Sequence, residues 1–171
     1  SKGGALAVRA ALRLAGTGIP ELQPAGVMTF GAPRAGNREF AMAFDDAFHG
    51  RAWRFEYQDD LVPHLPLAAN VWNVLREAAG RHWEQPETGF WSKLAAGVEA
   101  NPPMSGYLPA GRLQFIDWND RLRDDDTPAL RAERWAHLCR ALATALPEIN
   151  RDHLPMRGYG YMDFLAACQH T

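Results

Sequence analysis

The chain has 171 residues, a length typical of one domain, and 47% of them are hydrophobic while 22% are charged. This composition is too apolar for an intrinsically disordered protein. The net charge of −2 provides neither the basic footprint of a nucleic-acid-binding protein nor a polybasic membrane anchor. No stretch reaches the roughly 18 uncharged apolar residues of a membrane-spanning helix. Two cysteines, Cys139 and Cys168, are too few for a disulfide framework.

Helix-like and strand-like segments alternate along the chain, which predicts an α/β fold. The first half is expected to contain a helix over residues 4–14, a buried strand over 26–31, a helix capped by Asn37 and stopped by Gly50, and a strand over 52–57. The second half is expected to contain a strand over residues 112–118, a solvated turn over 120–126, a helix from Thr127 to Leu146, and a terminal helix over 159–168.

Residues 68–109 interrupt this alternation. They combine short helical patterns with the breaker cluster Asn101-Pro102-Pro103. We expect them to form an insertion or cap within a single domain that covers residues 1–171. Aromatic side chains at such spacing usually pack in a core, although here they could also line an acyl-binding surface. The aromatic residues concerned are Trp72, Trp83, Phe90 and Trp91.

The chain opens with Ser1-Lys2-Gly3-Gly4, followed by an Ala- and Leu-rich helical pattern. This arrangement is typical of the second half of a nucleophile elbow, in which a serine lies on a sharp strand-to-helix turn. Backbone N–H groups at a helix N-terminus favour the negative charge that develops during acyl transfer. By itself, the half motif is equally compatible with a glycine-rich loop that happens to begin a helix.

Three further phrases follow in a fixed order. Residues 29–40 read TFGAPRAGNREF, residues 59–66 read DDLVPHLP, and residues 150–154 read NRDHL before an aromatic-rich helical pattern. With the opening serine, they resemble the class 3 (fungal-type) lipase family of the α/β-hydrolases. The resemblance covers residues 1–118 and 152–164. It implies the C-terminal two-thirds of an α/β-hydrolase-like fold, with a mainly parallel sheet flanked by helices and the N-terminal strands missing from this chain.

The resemblance also implies a catalytic triad. Ser1 corresponds to the nucleophile, Asp60 to the acid and His153 to the base, and the backbone N–H of Lys2 to one oxyanion donor. Asp59 is the alternative carboxylate, which strand alternation would direct away from the site. An Asp pair after a strand is otherwise most often a solvated turn or a helix cap.

The remaining histidines are less suited to the role of the base. The approach from His153 to the terminal helix is longer than the family's tight spacing, which leaves the shape of that loop open. His64 is expected to be structural or to line the site. We expect His49 at a helix end, His82 in the insertion, His137 within a helix and His170 at the chain end.

The implied reaction is hydrolysis of a lipid or another acyl ester through an acyl-enzyme, without a metal or an organic cofactor. The expected partners are a small-molecule acyl ester or lipid substrate and a lipid interface. Two alternatives remain open: a catalytically inactive, hydrolase-like ligand-binding module, and an acyltransferase that uses the same triad.

The chain begins at Ser1, inside the expected motif. We therefore expect the strand that leads into the serine, the second oxyanion donor and the lid to belong to an upstream part of a longer protein. Any targeting segment would lie there too. Without a central strand to support the elbow, the isolated segment is expected to be poorly stable and essentially inactive.

Overall fold

The computed structural model describes residues 2–66, 106–144, 152–153 and 160–168. By its packing, the chain divides into one compact unit of Ser1–Leu65 with Leu108–Thr171 and a second of Pro66–Tyr107. Nearly all of the described residues belong to the first unit. The expected insertion lies almost entirely outside them, together with Trp72, Trp83, Phe90 and Trp91, and it stays a prediction.

Helices and strands alternate through the first unit. The described α-helices are α1 (Lys2–Ala15), α2 (Arg38–Ala47), α3 (Pro128–Thr144) and α4 (Tyr161–Cys168), with short 3-10 helices at Pro20–Leu22 and Val62–His64. The described strands are β1 (Val27–Phe30), β2 (Gly36–Asn37), β3 (Ala52–Tyr57), β4 (Tyr107–Leu108), β5 (Arg112–Ile116) and β6 (Leu122–Arg123). Among these helices, none has both the length and the apolar character needed to span a bilayer.

Four strands form the sheet that organises this unit, in the order β1-β3-β5-β6. β3 is parallel to both β1 and β5, and β6 is antiparallel to β5. The predicted α/β-hydrolase-like architecture, a mainly parallel sheet flanked by helices, is confirmed. Because parallel strands end at the same edge of a sheet, the segments that follow β1 and β3 meet there.

The helix α1 packs closely on the end of β1. A Cβ added to Gly4 would lie 2.5 Å from Cβ of Ala32, so only glycine permits this approach. The side chains of Val8 and Ala11 on α1 then reach a core that contains Phe44 and Phe48.

The start of α2 follows the predicted capping pattern. The Asn37 side chain accepts a hydrogen bond from the backbone N–H of Phe40 at 3.1 Å, which satisfies a donor that the first helical turn leaves unpaired. Ala41 and Phe44 then turn inward. The expected helix and its cap are both present.

The predicted solvated turn over residues 120–126 is wrong in part. Leu122 and Arg123 form the edge strand β6, with Leu122 opposite Ile116 of β5. Oδ1 of Asp117 accepts hydrogen bonds from the backbone N–H groups of Asn119 and Arg121, which closes the reversal between the two strands. A short, charged edge strand is a common way to protect a sheet from further pairing. Because its sequence is charged, β6 was predicted as part of a turn.

Candidate functional site

Asp60 and His153 lie together where β3 ends. Nδ1 of His153 is 3.0 Å from both carboxylate oxygens of Asp60. The Asp60 side chain is fully buried, whereas 22% of the His153 side chain remains exposed. The structure therefore brings together two residues that are 93 positions apart in the chain, with the carboxylate fully buried and the imidazole partly exposed.

This contact determines which nitrogen of His153 carries a proton. A carboxylate can only accept, so Nδ1 must donate to Asp60. In the neutral imidazole, the opposite nitrogen Nε2 then holds the free lone pair. The pair thus presents a base whose tautomer and orientation are set by a buried carboxylate.

Tyr161, the first residue of α4, completes the surroundings of the Asp60 carboxylate. Its hydroxyl donates to Oδ2 of Asp60 at 2.7 Å and accepts from the backbone N–H of Tyr57 at 3.0 Å. Oδ1 of Asp60 accepts from the backbone N–H of Val62 at 2.9 Å. Burial and the Asp60 charge raise the pKa of Tyr161 well above its usual value, so its hydroxyl stays protonated and remains a donor. The sequence analysis missed this role, although a tyrosine eight residues after the candidate base was a usable signal.

Gly31, directly after β1, makes room for the pair. Its φ of +54° lies in the left-handed region, and an added Cβ would lie 2.7 Å from Oδ2 of Asp60 and 3.1 Å from Nδ1 of His153. Gly31 therefore lets the chain pass directly over the carboxylate and the imidazole.

Asp59 and Asp60 have different partners, but for a reason other than the expected strand alternation. β3 ends at Tyr57, and Gln58 follows with φ of 35°, so the two carboxylates lie in a turn. Oδ1 of Asp59 accepts from the indole N–H of Trp118 at 3.2 Å. The backbone N–H of Asp59 donates to the buried Asp152 at 3.3 Å, which ties the segment carrying His153 to this turn.

The predicted nucleophile, Ser1, lies outside the described residues. Lys2 begins α1, so its backbone N–H belongs to the first turn, where helical N–H groups lack partners within the helix. The assignments of Ser1 as nucleophile and of Lys2 as oxyanion donor stay predictions. Within the described ranges, no group of three or more His, Cys, Asp or Glu residues could hold a metal ion.

The other histidines have separate surroundings. His137 of α3 stacks on Trp118 with ring centroids 3.6 Å apart, and His49 is exposed beyond the end of α2. His64, at the end of the short helix after Asp60, packs near Trp135 of α3. The two that lie outside the described residues are His82 and His170.

A second buried carboxylate, Glu56, lies on β3 only four residues before Asp60. Its oxygens bind the guanidinium groups of Arg54, at 2.8 Å, and of Arg134 on α3. Burial by itself would raise the pKa of Glu56, but the Arg134 and Arg54 charges outweigh that effect and lower the pKa to about 2. Glu56 is therefore a permanently charged member of a buried ion cluster.

His64 lies against this cluster. Burial, assisted by the charges of Arg134 and Arg34 and opposed by Glu56, lowers its pKa to about 4. The imidazole is therefore neutral at physiological pH. This agrees with the expectation that His64 is structural or lines a site rather than acting as the base.

Comparison with known proteins supports the resemblance found in the sequence. Residues 1–70 match the family described as Lipase (class 3). The chain is 44% identical over 66 residues to lipase ZK262.3 of Caenorhabditis elegans, covering 39% of this chain and 18% of that protein. It is 34% identical over 99 residues to the secreted mono- and diacylglycerol lipase 3 of Gibberella zeae, covering 55% of this chain and 29% of that protein.

The matched regions thus span less than a third of the length of these curated relatives. Among solved structures, the chain is similar to that of the M37 lipase. The TM-score is 0.47 and the identity 20%, over 99% of this chain and 50% of that one.

Proposed function

From the class 3 lipase family, to which residues 1–70 of the chain belong, we propose that the protein is a serine-dependent hydrolase of lipid or other acyl esters. The observation that carries the proposal is the contact between Asp60 and His153. It supplies an oriented base whose Nε2 carries the lone pair of the neutral imidazole, and both residues lie in phrases that resemble this family. The third member of the proposed triad is Ser1, the residue directly before α1.

The proposed reaction has two halves. Nε2 of His153 takes the proton of the Ser1 hydroxyl while the Ser1 oxygen attacks the ester carbonyl. The same proton then passes to the departing alcohol, which leaves an acyl-enzyme. In the second half, His153 deprotonates a water molecule that attacks the acyl carbonyl, and the proton returns to Ser1 as the carboxylic acid departs. Asp60 stays ionised throughout and stabilises the imidazolium formed in each half.

The Lys2 backbone N–H is proposed to stabilise the oxyanion of each tetrahedral intermediate. An N–H in the first turn of α1 is suited to this role because both its free hydrogen and the helix dipole favour negative charge. One of the curated relatives is named for mono- and diacylglycerols. Glycerides are therefore the first substrates to test.

Fluorophosphonate labelling tests the proposal most directly, because these reagents modify only serines that a neighbouring base activates. We expect full-length protein to carry the adduct on Ser1, as located by mass spectrometry. The variant His153→Ala should lose the adduct, while His49→Ala, which removes an exposed imidazole far along the chain, should keep it.

An unlabelled but folded protein, tested in the presence of a detergent interface, would contradict the proposal. It would favour the ligand-binding module instead. Labelling at Ser1 would be compatible with both a hydrolase and an acyltransferase. Product analysis in the presence of a competing alcohol distinguishes the two. A hydrolase releases mainly free acid, whereas an acyltransferase forms the new ester.

A further inference from the structure

A cavity with a volume of about 250 Å³ lies beside α3, apart from the Asp60–His153 pair. Pro63, His64 and Trp135 form part of its wall. Six charged side chains also line it, and these are Arg34, Arg54, Arg131, Arg134, Glu56 and Asp126. Neither Asp60 nor His153 is among the described residues that line it.

The two carboxylates in this wall are already shared between arginines. Glu56 binds Arg54 and Arg134. Asp126 lies 3.2 Å from a nitrogen of Arg54 and 3.6 Å from Nε of Arg131. These three arginines exceed the two carboxylates by one positive charge.

Arg134, one of the lining residues, also has a donor that no described residue accepts from. Its side chain is 8% exposed, and its guanidinium packs over the Phe115 ring at 4.6 Å as well as against Glu56. Nε of Arg134 is buried, and among the described residues it has no hydrogen-bond acceptor. A buried N–H group without a partner is costly, so an acceptor at this position would be stabilising.

The pKa values of the neighbouring groups are consistent with an excess of positive charge at the cavity. Burial lowers the pKa of Arg34, and the like charges of Arg54 and Arg134 lower it further while Glu56 opposes them. The same excess of positive charge acts on His64, whose imidazole stays neutral. An anion in the cavity would relieve this repulsion.

We propose that this cavity binds a phosphate group, carried either by inorganic phosphate or by the headgroup of an acidic lipid. Guanidinium groups match the geometry of phosphate oxygens and bind them through paired, charge-assisted hydrogen bonds. Since a water molecule takes up about 30 Å³, the cavity has room for a tetrahedral anion and several waters. The proposal does not depend on ester hydrolysis.

Isothermal titration calorimetry of the full-length protein, at constant ionic strength and neutral pH, tests the site with two probes. One is inorganic phosphate, and the other is dihexanoyl phosphatidic acid below its micelle-forming concentration. Arg131→Gln removes a lining guanidinium whose side chain is 60% exposed, so the fold should tolerate the change. We expect this variant to bind either probe about tenfold more weakly.

Arg13→Gln provides the matched control, because it removes the same charge from an exposed position on α1. It should bind both probes as the unaltered protein does. A second readout needs no substitution: the Arg134 Nε–H resonance in nitrogen-15 NMR should shift on adding phosphate but not on adding chloride.

The outcomes separate clearly. Tighter binding of the lipid probe than of inorganic phosphate assigns the site to a headgroup, and equal or weaker binding assigns it to the free anion. Equal affinity of Arg131→Gln and Arg13→Gln would overturn the proposal. So would an unmoved Arg134 resonance at about 20 mM phosphate, a concentration that detects even millimolar affinity.

Discussion

Asp60 and Glu56 are two buried carboxylates, four residues apart, with opposite surroundings. Asp60 is 2% exposed and receives hydrogen bonds from a tyrosine hydroxyl, a backbone N–H and the imidazole of His153. Glu56 is 6% exposed and is held by the permanent charges of Arg54 and Arg134.

The difference shows how β3 and the turn that follows it hold two buried carboxylates in two different ways. Neutral donors stabilise the Asp60 carboxylate while leaving its countercharge to a histidine that can gain and lose a proton. Arginines cannot lose their protons, so Glu56 is fixed as one charge in a structural cluster. The comparison implies that changes at Asp60 affect activity most, whereas changes at Glu56 affect stability most.

The largest expected effect is on catalysis. In Asp60→Asn the amide can no longer hold His153 in the required tautomer, and kcat toward a glyceride ester should fall by about 10⁴-fold, as such a change does in established triads. Asp59→Asn replaces the adjacent carboxylate with an amide, whose oxygen can still accept a hydrogen bond from the indole N–H of Trp118. This variant should keep most of the activity. Similar losses in both variants would mean that the Asp60 contact is not catalytic.

Glu56→Gln should be the most destabilising change. It leaves the buried Arg134 without the Glu56 countercharge and Arg54 with Asp126 alone, and breaking a buried pair typically costs about 3–5 kcal/mol. Urea unfolding followed by circular dichroism measures the loss. Asp125→Asn, which breaks an exposed pair with Arg123, should cost far less because solvent screens that pair. A cost for Glu56→Gln as small as that of the surface variant would contradict the assignment of a buried ion cluster.

Acid should weaken the fold through His64 before it affects Glu56. The unfolded chain protonates His64 below about pH 6.5, but the folded protein keeps it neutral down to a pKa of about 4. The unfolded state thus binds more protons in this window, and stability falls as the pH falls from 6.5 to 4, by on the order of 3 kcal/mol. Glu56, with a folded pKa of about 2, adds a further loss below pH 4.5.

The free energy of unfolding against pH checks this expectation. His64→Gln should flatten the profile between pH 6.5 and 4, whereas the exposed control His49→Gln should leave it unchanged. A profile that is already flat in the unaltered protein would show that His64 is not held neutral by the fold.

Gly31→Ala tests the close passage of the chain over Asp60 and His153. A methyl group would meet the carboxylate at 2.7 Å, and alanine disfavours the φ of +54°. Strain and overpacking together should cost about 2–3 kcal/mol, and the displaced imidazole should lower kcat as well. Gly3→Ala is the control, since an added Cβ there meets no atom of the described residues within 4 Å. Equal stability and activity in both variants would argue against this role of Gly31.

The smallest expected effect concerns the neutral donor Tyr161. Tyr161→Phe removes both the donor to Asp60 and the acceptor for the Tyr57 N–H, which should cost about 1–2 kcal/mol. Because His153 still faces Asp60, kcat should fall only about tenfold. Tyr57→Phe removes a hydroxyl that donates to the exposed Asp120 and should change kcat little. A loss of activity as large as in Asp60→Asn would mean that Tyr161 does more than support the carboxylate.

Local patterns predicted the helices and strands well where neighbouring residues in the chain determine the structure of a short segment. The strand β3 has the expected bounds, and α2 begins at the expected Asn37 cap, because alternation and capping depend on neighbours in the chain. The edge strand β6 was missed because its pairing with β5 supplies what its charged sequence does not.

The site shows the same division. From the sequence, the phrases around Asp60 and His153 sufficed to select both residues and to suggest their family. The sequence could not place the Tyr161 hydroxyl, the passage of Gly31 over the pair, or Arg134 of α3 beside Glu56. Glu56 and Arg134 are 78 positions apart in the chain, and Asp60 and Tyr161 are 101 positions apart. Such contacts exist only once the sheet and helices pack, since burial makes each partner necessary and local sequence does not record which distant side chain will provide it.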